Sequence, residues 1–204
     1  AGLLIQGARG SLEVTNSSVD FYNGDSDIGH LQVGQTNGAV GAATFNSSTI
    51  RGIRYLEVGG DRNPDDSIGG SGTVTFNDTS VTQRSSLTLD QYQTFNAVLG
   101  RQGGVGEVNL NNSSFTTIVD SVITQNDSNG YYYSGWHVGR NGSDLTGADD
   151  YDGTLTLNGS QLSLLNEGVG NSDLYFGVGA RAGGQGLLQL LNGSSLIIDT
   201  NNQN

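Results

Sequence analysis

Cysteine is absent from all 204 positions, which excludes disulfides and thiolate metal sites and leaves packing and backbone ladders to hold the fold. Methionine is absent too, position 1 included, which points to a processed or excised segment. There is no lysine: the 8 basic residues are all arginine and stand against 20 acidic ones, for a net charge of -12. So acidic a chain suits neither nucleic acid nor insertion into a membrane, and cations are its natural company. No apolar run approaches the roughly 18 residues of a membrane-spanning helix, and no charged-then-apolar leader is seen. A single proline, Pro64, beside 33 glycines leaves helix marginal and turns abundant. With 34% hydrophobic residues the chain can still bury a core, and it reads as one all-β domain over 1–204.

What is present is repetition. A glycine, an alternating strand, an asparagine and a small hydroxyl residue recur along the chain. The clearest copies run Gly10 to Asn16, Gly72 to Asn77, Gly106 to Asn111, Gly153 to Asn158 and Gly186 to Asn192, with a looser one ending at Asn46. Each copy continues into a second short strand and then a third that closes on apolar-x-Val-Gly, as in Leu31 to Gly34, Leu56 to Gly59 and Trp136 to Gly139. Gln6-Gly7 marks a truncated first copy. The asparagines at 16, 46, 77, 111, 158 and 192 are separated by 30, 31, 34, 47 and 34 residues. That spacing predicts a right-handed parallel β-helix, or β-solenoid, of about six three-sided coils, each coil rising about 4.8 Å. Two coils per repeat would give a column nearly twice as long. Length variation is expected mostly in the loop after Val-Gly.

The stretch from Val178 through Gly186 to Asn192 and Leu196 resembles the repeats of large bacterial surface and secreted proteins. Autotransporter passenger domains carry such repeats, as do the repeat regions associated with PEP-CTERM exosortase substrates. The likeness covers nearly the whole chain. It implies a β-solenoid, secreted or displayed on a cell surface, with an adhesive or structural role.

The asparagine column, Asn16, Asn46, Asn77, Asn111, Asn158 and Asn192, suits a corner between strands, because asparagine tolerates left-handed backbone and stacked copies can bond one another. The same residues form Asn-x-Ser/Thr triplets, which a turn requirement produces without any sugar. A second column follows Val-Gly: Arg9, Arg101, Arg140 and Arg181, with Arg62 slightly out of step. Forked guanidinium groups in a row could grip a carboxylated or sulfated glycan, or pair with loop carboxylates. Asp144, Asp149, Asp150 and Asp152 crowd one glycine-rich loop and could ligate calcium through oxygen, although their spacing matches no EF-hand or nonapeptide pattern. No other cofactor is implied. Tyr132 and Trp136, beside the widest insertion, could stack on sugar rings.

Three functions follow. A structural or adhesive module would bind glycan or a surface protein. A self-assembling subunit of a filament or sheath would bind itself by end-to-end stacking. A polysaccharide lyase or hydrolase on a β-helix would need Asp149, Asp150 and Asp152 with Arg140 and His137; with two histidines and no lysine the chain reads as non-enzymatic.

Overall fold

The structure is a computed structural model, and it describes residues 2–5, 7–21, 29–35, 38–60, 70–85, 96–101, 104–119, 134–140, 151–167, 174–179 and 184–199. Among them every element is a strand. In chain order these are β1 (Gly2–Ile5), β2 (Gly10–Thr15), β3 (Ser18–Asp20), β4 (Gly29–Val33), β5 (Val40–Asn46), β6 (Thr49–Gly60), β7 (Ser71–Asn77), β8 (Ser80–Ser85) and β9 (Ala97–Arg101). They continue as β10 (Val105–Asn111), β11 (Ser114–Val119), β12 (Ser134–Arg140), β13 (Tyr151–Asn158), β14 (Gln161–Asn166), β15 (Leu174–Val178), β16 (Gly184–Leu191) and β17 (Ser195–Asp199).

Each strand pairs, in parallel, with its counterpart one repeat away. The first strands of the repeats form a 6-stranded sheet in the order β16-β13-β10-β7-β5-β2. The second series is β3, the start of β6, β8, β11, β14 and β17; the third is β1, β4, the end of β6, β9, β12 and β15. These two series make one 11-stranded sheet because β6 belongs to both. The architecture is all-β with stacked parallel strands, consistent with a parallel β-solenoid.

Alternation at period two sends one side of each strand inward. In the first series Val14, Phe45, Phe76, Leu110, Leu157 and Leu190 are successive register partners. In the third series Leu31, Leu56, Ala97, Trp136 and Phe176 are. Trp136 stands between a small partner, Ala97, and a large one, Phe176. Within the first series Phe45 stacks on Phe76 at 5.3 Å, and rings from all three series meet inside, Phe115 lying edge-on to Phe76 at 5.8 Å and to Trp136 at 4.9 Å.

The second series is not apolar throughout its inward side. The column of Val19, Ile50, Val81, Phe115, Leu162 and Leu196 is apolar, but the next carries Ile53, Gln83, Thr117, Leu164 and Ile198. The two polar residues are satisfied by one another. Trp136 Nε1 donates to Thr117 Oγ1 at 2.9 Å, Thr117 donates to Gln83 Oε1 at 2.8 Å, and Gln83 Nε2 donates to the Asn96 carbonyl at 2.6 Å.

Both glycine columns of the repeat meet at the corner joining the third series to the first. Gly34, Gly59, Gly100, Gly139 and Gly179 have φ between 61° and 69°, which Val or Leu would resist. They lie against Gly41, Gly72, Gly106, Gly153 and Gly186 so closely that a Cβ on the latter would overlap backbone atoms.

The spacing of the strands corrects the expectation about loops. Chain of varied length follows the Val-Gly ending, as from Val33 to Val40, Arg101 to Val105 and Arg140 to Tyr151, but it also separates the second series from the third, as from Asp20 to Gly29, Ser85 to Ala97, Val119 to Ser134 and Asn166 to Leu174. Two corners therefore take up length variation. The corner from the first series to the second takes almost none.

Candidate functional site

The corner from the first series to the second, two residues long in every repeat but the last, which has three, is built on two hydrogen-bond ladders. Asn77 Nδ2 donates to Asn46 Oδ1 at 2.8 Å, Asn111 Nδ2 to Asn77 Oδ1 at 2.8 Å, Asn158 Nδ2 to Asn111 Oδ1 at 3.4 Å, and Asn192 Nδ2 to Asn158 Oδ1. Every donor points toward the first repeat, where Asn46 Nδ2 meets Glu13 Oε1 and Thr15 Oγ1, both at 3.3 Å. The amide dipoles are thus aligned, and the donor end of the row finishes on a carboxylate.

Register divides the six asparagines, however. Asn46, Asn77, Asn111 and Asn158 are direct partners at the strand end, whereas Thr15 and Leu191 hold that position in the outer repeats. The left-handed turn belongs to the next residue: Ser47 (φ 46°), Asp78 (φ 49°), Asn112 (φ 47°) and Gly159 (φ 60°). Asn16 (φ 51°) and Asn192 (φ 53°) are themselves in that conformation. One residue type thus serves two neighbouring positions.

The hydroxyl that follows completes the corner, and sequence reading gave it no role. Ser48, Thr79, Ser113 and Ser160 each donate to the carbonyl two residues back, at 2.7, 2.8, 2.8 and 3.0 Å. Each also accepts from the backbone amide of the preceding repeat, as in Ser113 N–H to Ser160 Oγ at 2.9 Å. The Asn-x-Ser/Thr triplet is therefore a corner motif with three jobs: ladder amide, left-handed residue, ladder hydroxyl. A shallow groove of about 420 Å³ runs along it, lined by Asp78, Asn112, Gly159, Gln161 and the corner hydroxyls.

The chemistry-bearing residues lie elsewhere, on the outer side of the third series, between the two corners of variable length. One register column there carries His30, Tyr55 and, by extension, Asn96; the next carries Gln32, Glu57, Val98 and His137. Alternation alone would leave these in solvent. Instead Glu57 and Val98 are 0% exposed and His137 is 4% exposed, so both sides of this series are covered. The Glu57 carboxylate accepts from Gln32 Nε2 at 3.0 Å and Gln35 Nε2 at 3.4 Å. His137 stacks on Tyr175 at 4.8 Å, and His30 lies 5.8 Å from Tyr55. Among the described residues Arg54 Nη2 and Asn96 Oδ1 are buried without a hydrogen-bond partner. A buried polar atom costs about 1–3 kcal/mol where neither protein nor water meets it. Glu57 and His137 are two register steps apart, roughly 10 Å, which lets them orient a ligand together but not pass a proton directly.

Of the residues singled out in the sequence, Arg101 and Arg140 are register partners on the adjacent strands β9 and β12, with Gly60 the next partner. Only their backbone is described, as for Asp152 in β13. Asp144, Asp149, Asp150, Arg181 and Tyr132 lie outside the described residues. Trp136 is fully buried, with its indole N–H given to Thr117; its ring lines the core and offers no surface for a sugar. Among the described residues no group of three metal-ligating side chains occurs, and no helix is long and apolar enough to cross a membrane. Glu57 and Tyr55 were missed because alternation placed them outside and nothing local marks them as covered.

Comparison with protein-family models, with curated proteins and with solved structures finds no match for this chain.

Proposed function

We propose that the chain is a structural and adhesive repeat module of an extracellular or cell-surface protein. In this reading it is a right-handed parallel β-solenoid of six three-sided coils. Six register-matched strands in the first series support the coil count, and the right-handed preference of parallel crossovers supports the hand. The observation that carries the functional reading is the division of labour among corners. One corner varies by a single residue and is locked by the amide and hydroxyl ladders, which makes a scaffold. The other two vary in length and flank the side that carries both histidines and a buried carboxylate, on the series whose strands β9 and β12 end in the register partners Arg101 and Arg140. Variation confined to one side of a solenoid is how such folds diversify a binding surface.

The partner proposed is an acidic or neutral glycan, or a surface protein, held by arginine forks and amides, with calcium at Asp144, Asp149, Asp150 and Asp152 as a stabiliser of the longest loop between Val-Gly and the next strand. The test is replacement of residues 141–150 by a glycine-serine linker. Far-UV circular dichroism should stay unchanged while binding on a glycan and surface-protein array is lost. Wild-type protein that binds nothing across such an array, with and without calcium, contradicts the reading.

A further inference from the structure

The corner accounts for most of the Asn-x-Ser/Thr triplets but not for all of them. In Asn111-Asn112-Ser113-Ser114 two triplets overlap. The first is the corner motif itself: Asn111 belongs to the amide ladder and Ser113 is the buried corner hydroxyl. The second, from Asn112 to Ser114, uses neither. Asn112 is the left-handed turn residue (φ 47°), Ser114 begins β11, and both are exposed. Asn16 and Ser18 repeat the arrangement, since the Asn16 amide bonds the Asn46 carbonyl as the Asn112 amide bonds that of Asn158. The turn does not require asparagine there, because Ser47, Asp78 and Gly159 hold the same position. We propose that Asn112, with Asn16 as its counterpart, is an acceptor for an N-linked sugar.

Two features separate Asn112 from the ladder asparagines. To meet a sugar donor, an amide nitrogen must leave its own hydrogen bonds. Asn77, Asn111 and Asn158 each donate and accept within the row, so turning one out opens two links, whereas the Asn112 side chain takes no part in the row. Asn112 also borders the groove of about 420 Å³, together with Asp78, Ser80, Ser114, Gly159 and Gln161. That volume is within the range of small-ligand sites. Gly159 keeps it open beside Asn112, for a Cβ there would fall 2.7 Å from Asn112 Oδ1. The walls offer hydroxyls, amides and a carboxylate, and among the described residues none of the lining is basic, which suits a neutral sugar. In the transfer, Nδ2 forms a bond to the anomeric carbon of a sugar activated as a diphosphate ester. The bond from that carbon to the diphosphate oxygen breaks, the diphosphate leaves with the electron pair, and one Nδ2 proton passes to a base of the transferring enzyme. The first sugar then lies along the groove. This goes beyond the adhesive reading and does not rest on it.

The test has two arms, one for each source of activated sugar. Folded protein is incubated with a soluble glycosyltransferase specific for Asn-x-Ser/Thr and nucleotide-activated glucose, and the chain is also secreted from a eukaryotic host, whose donor is a lipid-linked oligosaccharide. Peptide mapping by mass spectrometry reads each asparagine. In the folded protein Asn112 should carry roughly tenfold more sugar than Asn77, Asn111 or Asn158. Peptides released by proteolysis should lose that preference, because the ladder is gone. Ser114→Ala removes the hydroxyl of this triplet and leaves Ser113 in place; it should abolish modification of Asn112 with an unchanged circular dichroism spectrum. Sugar on Asn112 in one arm alone supports the proposal and identifies the donor. Its absence from Asn112 in both arms, or equal sugar on Asn112 and the ladder asparagines of the folded protein, overturns the proposal.

Discussion

Asn111 donates to Asn77 and accepts from Asn158, so truncating its amide breaks two links of the ladder at once. Asn111→Ala should destabilise by about 1–2 kcal/mol in urea unfolding, whereas Asn109→Ala, an outward residue of the same strand, should change stability by less than about 0.5 kcal/mol. Inside the core the hydroxyl of Thr117 is acceptor for Trp136 and donor to Gln83. Thr117→Val keeps the volume and leaves both groups unmet in a dry site, at about 2–3 kcal/mol, and the fluorescence of the single tryptophan should report the change. The ladder asparagines were legible because their spacing recurs. The one-residue offset at Asn16 and Asn192 was not, since asparagine fits the strand-end and the left-handed position equally and the triplet reads the same in both. Gln83 and Thr117 were illegible for a different reason: a polar residue in an alternating strand looks outward until its partners on the neighbouring strand and across the core are known.

At the scale of elements, the glycine pairs decide whether the third series can turn into the first. A Cβ on Gly106 would overlap the Val58 carbonyl oxygen and the Gly100 amide, which are backbone and cannot yield. Gly106→Ala should therefore cost about 3 kcal/mol or more, seen as a fall in thermal midpoint or as loss of the folded protein. Gly38→Ala is the control: with φ at 71° but nothing within 4 Å, it should cost only about 1–2 kcal/mol. The Val-Gly and Gly-x-apolar signals announced this corner, and three alternating strands per repeat were equally legible. The continuous strand β6 was not. It passes from the second series to the third through a bulge at Gly52 (φ 75°), with no loop, and only pairing with both β8 and β9 reveals it. The covered outer side of the third series, with Glu57 at its centre, likewise depends on which segments lie over it, a property that periodicity does not encode.

For the molecule as a whole, local sequence recurrence becomes translation along one axis: each repeat contributes one rung to each series, and the ladders fix the step. Stability should accordingly be graded, with backbone amides of the inner strands β7, β10 and β13 exchanging hydrogen far more slowly than those of β16 and β17, the outermost strands of their series among the described residues. The most direct measurement is the distance between spin labels at Glu13→Cys and Gln189→Cys, by pulsed electron paramagnetic resonance in labelled protein diluted with excess wild type. Five register steps of about 4.8 Å predict a narrow distribution centred near 24 Å. A distance near 48 Å, as two coils per repeat would give, or a broad distribution without a dominant peak, would contradict the stacking of one rung per repeat.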